Sequence, residues 1–308
     1  MKIVKNEDQN WKKAFLVGIL ASMFFAFTFV FNRSMNLGGG YWLWSASLRY
    51  LFTLPIMFLL VWKQHGLSAV FSQIKKNMLA WVLWSTVGFG LFYLPLTMAS
   101  VYGESWFVAA SWQLTIVAGI MLTPFFGNKI PVKNLIFSGV ILIGIAMLQV
   151  SHIETMQTKG LISALCLILI AAFSYPLGNR KMMTLCSENL STIERVFGMT
   201  LCSIPFWLIA SVFAYASHGA PSGNQMLQSF IVALFSGVIA TLLFFEATNM
   251  VRNNPKQLAF IEATQAGEVI FTLIGGILFL KDPFPSLIGF IGILIIVIGM
   301  IGNSLVSA

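Results

Sequence analysis

The sequence predicts an all-α integral membrane protein of about ten transmembrane helices, built as two similar five-helix halves in opposite orientation. Three observations carry this. The 308 residues are 58% hydrophobic and only 9% charged, whereas a soluble domain has about a quarter of its residues charged. The apolar residues fall into about ten runs, each close to the roughly 20 residues that cross a 30 Å hydrocarbon core. Short motifs also recur in the same order at an offset of about 150 residues.

Taken in order, the apolar runs lie at about 14–35, 42–62, 79–101, 104–126, 132–150, 158–179, 191–215, 228–250, 257–280 and 284–306. The polar segment Met1–Lys13 precedes the first run, which is too long for a signal-peptide core and lacks a small-residue cleavage site. The third and fourth runs are separated only at Tyr102–Glu104, which requires a tight helical hairpin. Lys281-Asp282-Pro283 makes the corresponding turn between the last two.

With the N-terminus cytoplasmic, 14 of the 18 basic residues fall in inner segments, leaving Arg33, Arg49, Lys159 and Lys281 on the outer side. Cytoplasmic loops accumulate Lys and Arg, so this bias puts both termini inside and requires an even number of spans. The net charge of +8 therefore serves orientation. No basic run is interleaved with aromatics, which excludes a nucleic-acid surface. Cys166, Cys186 and Cys202 show neither metal-ligand spacing nor a disulfide framework, and no cofactor motif is present.

The repeat rests on three matches. Phe31-Asn32-Arg33-Ser34-Met35 ends the first span and Gly178-Asn179-Arg180-Lys181-Met182 ends the sixth, 147 residues later. Gly127-Asn128-Lys129-Ile130-Pro131 precedes the fifth span, and Lys281-Asp282-Pro283-Phe284-Pro285 precedes the tenth, 154 residues later. Gly139, Ala146 and Met147 recur as Gly292, Gly299 and Met300. Two units of five spans, 1–150 and 151–308, follow. An odd span number inverts the second copy, the arrangement common among transporters.

On these residues the chain resembles the drug/metabolite transporter superfamily in its ten-span EamA-like branch, and within it the multidrug resistance efflux transporters. The motifs are the Phe31–Met35 ending, the run Glu262-Ala263-Thr264-Gln265-Ala266-Gly267-Glu268, and the short loops before spans five and ten. The resemblance covers essentially the whole chain. It implies a basket of helices around a central cavity, formed by both halves, opened alternately to either side and lined by spans four and nine. It also implies a cell-membrane protein acting on a small-molecule substrate, as monomer or homodimer, with protons as a candidate coupling ion. One departure matters: the small four-span relatives that export cationic drugs use a glutamate in their first helix, and neither span one nor span six here holds an acid.

Charges inside hydrocarbon cost at least about 2.5–3.5 kcal/mol and need a reason. In span nine, at 100° per residue, Glu262, Thr264, Gln265, Glu268 and Thr272 fall in one polar arc, opposite Ala259, Ala263, Ala266 and Gly267. Glu268 lies near mid-span, about 15 Å from either end. That depth makes it a candidate proton carrier or cation partner, the alternative being a neutral, hydrogen-bonded structural group. Glu262 is shallower, near Lys256.

In span four, Glu104, Ser111 and Thr115 share a face, with Trp112 and Gln113 pointing elsewhere. Glu104 is close to the outer surface, where solvation competes with a role. Arg49, about 12 Å inside span two, either binds an anionic substrate group or pairs with Glu104 as a fixed bridge. Glu246, with Asn249 and six residues before Arg252, reads as a structural ion pair or a snorkelling side chain. Among the aromatics, Trp42, Trp44, Trp81 and Trp84 suit headgroup belts, while Tyr41, Tyr93, Trp112 and Tyr175 are candidate cavity rings that can stack on organic substrates.

The sequence thus points to a secondary transporter, with export of small organic molecules as the first reading and a metabolite importer or uncoupled facilitator as the second. There is no GxxxxGK[ST] loop for ATP. His65, His152 and His218 lie far apart in loops, with none of the clusters a membrane metalloenzyme needs. A structural or signalling role would leave the polar face of span nine unexplained.

Overall fold

The computed structural model describes residues 2–127, 129–152, 158–186, 190–251 and 254–307, and these contain helices and no strand. In chain order the helices are α1 (Lys2–Leu37), α2 (Trp42–Lys63), a short α3 (Leu67–Lys76), α4 (Met78–Ala99), α5 (Ser105–Met121), α6 (Val132–His152), α7 (Thr158–Cys186), α8 (Thr192–His218), α9 (Gly223–Met250), α10 (Gln257–Leu280) and α11 (Leu287–Val306). Among the described residues, nine are long and apolar enough to cross a bilayer. The fourth expected span, α5, is shorter. It is interrupted at Gln113 and runs out into a 3-10 turn at Thr123–Phe126. The ending is local: Pro124 sits in the first turn of the 3-10 segment and Gly127 closes it at a φ of 77°.

The helices interleave the two ends of the chain. α1 lies against α9 and α10, α2 against α8, α4 against α7, α5 against α7 and α10, and α6 against α11. Without a hydrophobic drive between helices in lipid, close approach needs small residues. In the α6–α11 pair, a Cβ on Gly144 would lie 2.7 Å from the carbonyl oxygen of Gly292. At the α4–α7 crossing, a Cβ on Gly178 would fall onto the backbone nitrogen and Cα of Gly88.

Three spans carry π-helical turns, at Thr86–Gly90 in α4, Val232–Ile239 in α9 and Gly276–Leu280 ending α10. Trp81, expected at a headgroup belt, is 1% exposed and packs against Gly198 of α8. Apolar bulk alone did not distinguish lipid from a neighbouring helix there.

Polar caps tie the loops at one end. Gln225, buried at the start of α9, donates from Nε2 to the Tyr41 carbonyl at 2.8 Å and to Ser45 Oγ at 2.9 Å. Trp44 Nε1 donates to the Gly219 carbonyl at 2.9 Å, and Tyr41 stacks on His218 at 3.6 Å. Gln225→Ala is expected to cost about 1–3 kcal/mol, the usual penalty for leaving buried partners unsatisfied. A lowered unfolding midpoint of the purified protein in detergent checks this, and an unchanged midpoint refutes it.

Candidate functional site

A central cavity of about 480 Å3 runs between the helices. Arg49 of α2 sits in its wall, and residues from three other helices hold it. Nη1 donates to Thr28 Oγ1 of α1 at 3.1 Å, and Nη2 approaches Ser236 Oγ of α9 at 3.5 Å. Those two hydroxyls are themselves 2.5 Å apart. The guanidinium carbon lies 4.2 Å from the ring centre of Tyr93 on α4, a cation–π distance. Tyr93 is fully buried behind Arg49 and exchanges hydrogen bonds with Asn32, at 3.1 and 3.2 Å. It therefore supports Arg49 and is not among the cavity-lining residues.

The opposite wall depends on the break in α5. With Gln113 in a turn between two helical pieces, Trp112, Gln113 and Thr115 all line the cavity. The regular projection had turned Trp112 and Gln113 away. Ser111 is taken instead by Gln149 Nε2 of α6, at 3.0 Å. Trp112, Phe92 and Tyr175 form a mutual aromatic cluster, with centroids 4.8–5.7 Å apart. Glu104 stands just before α5 and is not a cavity-lining residue.

α10 is broken as well, by a 3-10 turn over Thr264–Ala266. The expected polar arc therefore splits. Gln265 and Glu268 line the central cavity. Glu262 lines a second, smaller one of about 260 Å3 with Asn303 and Ser304, and Gln265 borders both. Thr264 and Thr272 are buried, and their hydroxyls donate back to the Ile261 and Glu268 carbonyls at 2.6 and 2.7 Å. Among the described residues, Arg49 and Glu268 share the cavity without forming an ion pair. Of the residues singled out in the sequence, the cavity thus collects Arg49, Glu268, Gln265, Trp112, Thr115 and Tyr175. Arg252, the proposed partner of Glu246, lies outside the described residues.

Sequence reasoning missed several participants. Arg180 and Arg195, counted for orientation and, in Arg180's case, for the repeat, line the cavity near the ends of α7 and α8. At the other end of the molecule, the turn aspartate Asp282 is buried and accepts from Ser105 N at 3.1 Å and Ser105 Oγ at 2.8 Å. Arg33 Nε lies 4.0 Å from its other oxygen, and Arg33 Nη1 donates to the Ser100 carbonyl at 3.2 Å. The available signal was an arginine ending the first span and an acid in the Lys281-Asp282-Pro283 turn.

The chain is similar to known proteins along nearly all its length. Residues 12–308 match the family model described as "EmrE: Putative multidrug resistance efflux transporter". A Bacillus subtilis (strain 168) protein described as "Uncharacterized protein YjlA" is 47% identical, over 96% of this chain and 95% of its own. A Shouchella clausii protein, described as an uncharacterized 42.1 kDa protein in the intracellular alkaline protease 3' region, is 44% identical over 87% of this chain and 73% of its own. A solved chain described only as "Crystal structure of protein" superposes with a TM-score of 0.63 at 11% identity, covering 96% of this chain and 98% of that one.

Proposed function

The chain belongs to the EmrE family of multidrug resistance efflux transporters, and from that premise we propose that it is a secondary exporter of small organic molecules that works by alternating access. The observation that carries this reading is the cavity itself. One chain brings an arginine from α2, a glutamate from α10 and aromatic rings from α4, α5 and α7 around a single space. That is the mixture of apolar walls and a few convergent polar groups that small-molecule sites have.

In this reading the protein spans the cell membrane ten times with both termini cytoplasmic, and 1–150 and 151–308 are inverted repeats. The packing supports the repeat. Exchanging each span for the one five places later turns the α1–α9 contact into α7–α4 and α1–α10 into α7–α5. It maps α2–α8, α5–α10 and α6–α11 onto themselves. The breaks in the two cavity helices, at Gln113 and Thr264–Ala266, are also about one repeat apart. Discontinuous helices at a repeat interface are where transporters place their sites. Glu268 is the proposed proton carrier, and since one chain encloses the cavity, one protomer suffices.

In sealed vesicles, the reconstituted chain is expected to carry small aromatic solutes saturably and faster under an imposed proton gradient. Flux linear in solute and indifferent to the gradient would rule the reading out.

With this orientation the cavity opens toward the cytoplasm past Arg180 and Arg195, and the Arg33–Asp282–Ser105 cluster closes the outside. Asp282→Ala removes the acceptor of both Ser105 bonds. Hydrogen bonds to charged groups contribute about 1.5–3 kcal/mol each, and 1.4 kcal/mol is tenfold in a population. The outward-open fraction should therefore rise about tenfold or more. The measurement is labelling of a cavity cysteine by a membrane-impermeant reagent added outside, and an unchanged rate counts against the closure.

A further inference from the structure

We propose that the solute this cavity takes is an organic anion, an aromatic carboxylate being the simplest case, and not a lipophilic cation. The inference rests on the transport reading above and adds the sign of the substrate. Among the described lining residues there are three guanidinium groups, on Arg49, Arg180 and Arg195, against one carboxylate, on Glu268. An entering cation meets net repulsion in a low-dielectric space, and an anion meets attraction.

Arg49 is the decisive group. Orientation accounts for basic residues at the cytoplasmic mouth, but Arg49 lies in the outer half of its span, where that bias works against it. A guanidinium inside a membrane is costly and normally has an acidic partner. Arg49 forms no ion pair with a described residue, and the one cavity acid, Glu268, stands on another helix without contacting it. The polar neighbours of Arg49 are two hydroxyls, Thr28 Oγ1 and Ser236 Oγ. One of the two hydroxyl protons is held in the bond between them, and the other can turn toward a new acceptor. Beside it the guanidinium offers the planar fork that matches a carboxylate in two bonds. Glu194, beside Arg195, is not among the cavity-lining residues; its carboxylate is turned to the start of α8, where it accepts from the Ser191 backbone N–H at 2.7 Å. The aromatic cluster of Phe92, Trp112 and Tyr175 then supplies a surface for a flat body next to the charged group.

The test places one reporter thiol in the cavity, as Thr115→Cys in a chain lacking the native thiols (Cys166→Ala, Cys186→Ala, Cys202→Ala). Its modification is followed with two methanethiosulfonate reagents of similar size, the anionic sulfonatoethyl and the cationic trimethylammonioethyl forms. Each rate is normalised to that of free 2-mercaptoethanol. The anionic reagent is expected to be favoured about tenfold or more, as charged clefts concentrate the opposite sign. Arg49→Gln, Arg180→Gln and Arg195→Gln together should bring the ratio to near one. Phenylacetate should protect the thiol at lower concentration than phenethylammonium, and Arg49→Gln should remove that preference. A faster cationic reagent, a ratio indifferent to the three arginines, or better protection by phenethylammonium overturns the proposal. If neither reagent reaches the thiol from either side, the cavity reading itself falls, an outcome distinct from a wrong sign.

Discussion

Glu268→Gln is expected to reduce gradient-driven transport to the level of empty vesicles while leaving the protein folded. The substitution keeps the size and hydrogen-bonding capacity of the side chain but removes its ability to hold and release a proton. Glu268 is the one acid among the described residues lining the central cavity, so no neighbour there is placed to take over. Its carboxyl group lies in a gap between helices and forms no ion pair with a described residue, so little packing depends on its charge. Exchange driven by a solute gradient alone should persist, because Arg49 and the aromatic wall are untouched. Glu262→Gln is the matched comparison. Glu262 borders the smaller cavity, and its loss should leave most of the coupled flux. Proton and solute flux measured on the same vesicles decide the matter: coupled transport surviving in Glu268→Gln would remove this residue from the mechanism.

Gly178→Ala should destabilise assembly markedly, although it adds a single methyl group. The new Cβ would clash with backbone atoms of Gly88, and backbone cannot rotate aside as a flexible side chain does. α4 and α7 would have to separate. That would also disturb Tyr175 and Arg180, which flank the crossing on α7 and line the cavity. Overpacking a tight core costs about 1–3 kcal/mol and sometimes more, out of a total stability of about 5–15 kcal/mol. The expected result is a poor yield of monodisperse protein and a lower unfolding midpoint. Gly88→Ala should be milder, since its Cβ would meet the Met199 methyl at 3.1 Å and the Gly178 Cα at 3.2 Å. A monodisperse Gly178→Ala protein with an unchanged midpoint would contradict the crossing.

The sequence made the helical membrane class legible because hydrocarbon imposes one length and one polarity on every segment that crosses it. Segment positions followed for the same reason. The fourth expected span came out short because the turn at Gln113 and the 3-10 ending at Thr123–Phe126 are local, beneath the resolution of a hydropathy window. At the site, single residues were more legible than faces. An arginine within span two and a glutamate at mid-span stood out by their cost alone, and both line the cavity. The arc in span nine and the stripe in span four assumed 100° at every residue. The breaks at Thr264–Ala266 and Gln113 violate that assumption, which is why Glu262 and Ser111 face other neighbours while Trp112 turns inward. The Thr28–Ser236 contact joins residues 208 apart in the chain, and no local pattern announces such a partner.

The π-helical turns have a consequence for how these spans tolerate change. Such a turn amounts to an α-helix with one residue too many, the surplus absorbed as a bulge. Within Thr86–Gly90, Val232–Ile239 and Gly276–Leu280, losing one residue can be taken up by tightening the bulge to an ordinary turn. Elsewhere in a span, the same loss turns everything beyond it by about 100° and lifts it by about 1.5 Å. Length variation among relatives should therefore collect at these bulges, as slack that the lineage can spend without re-registering a helix.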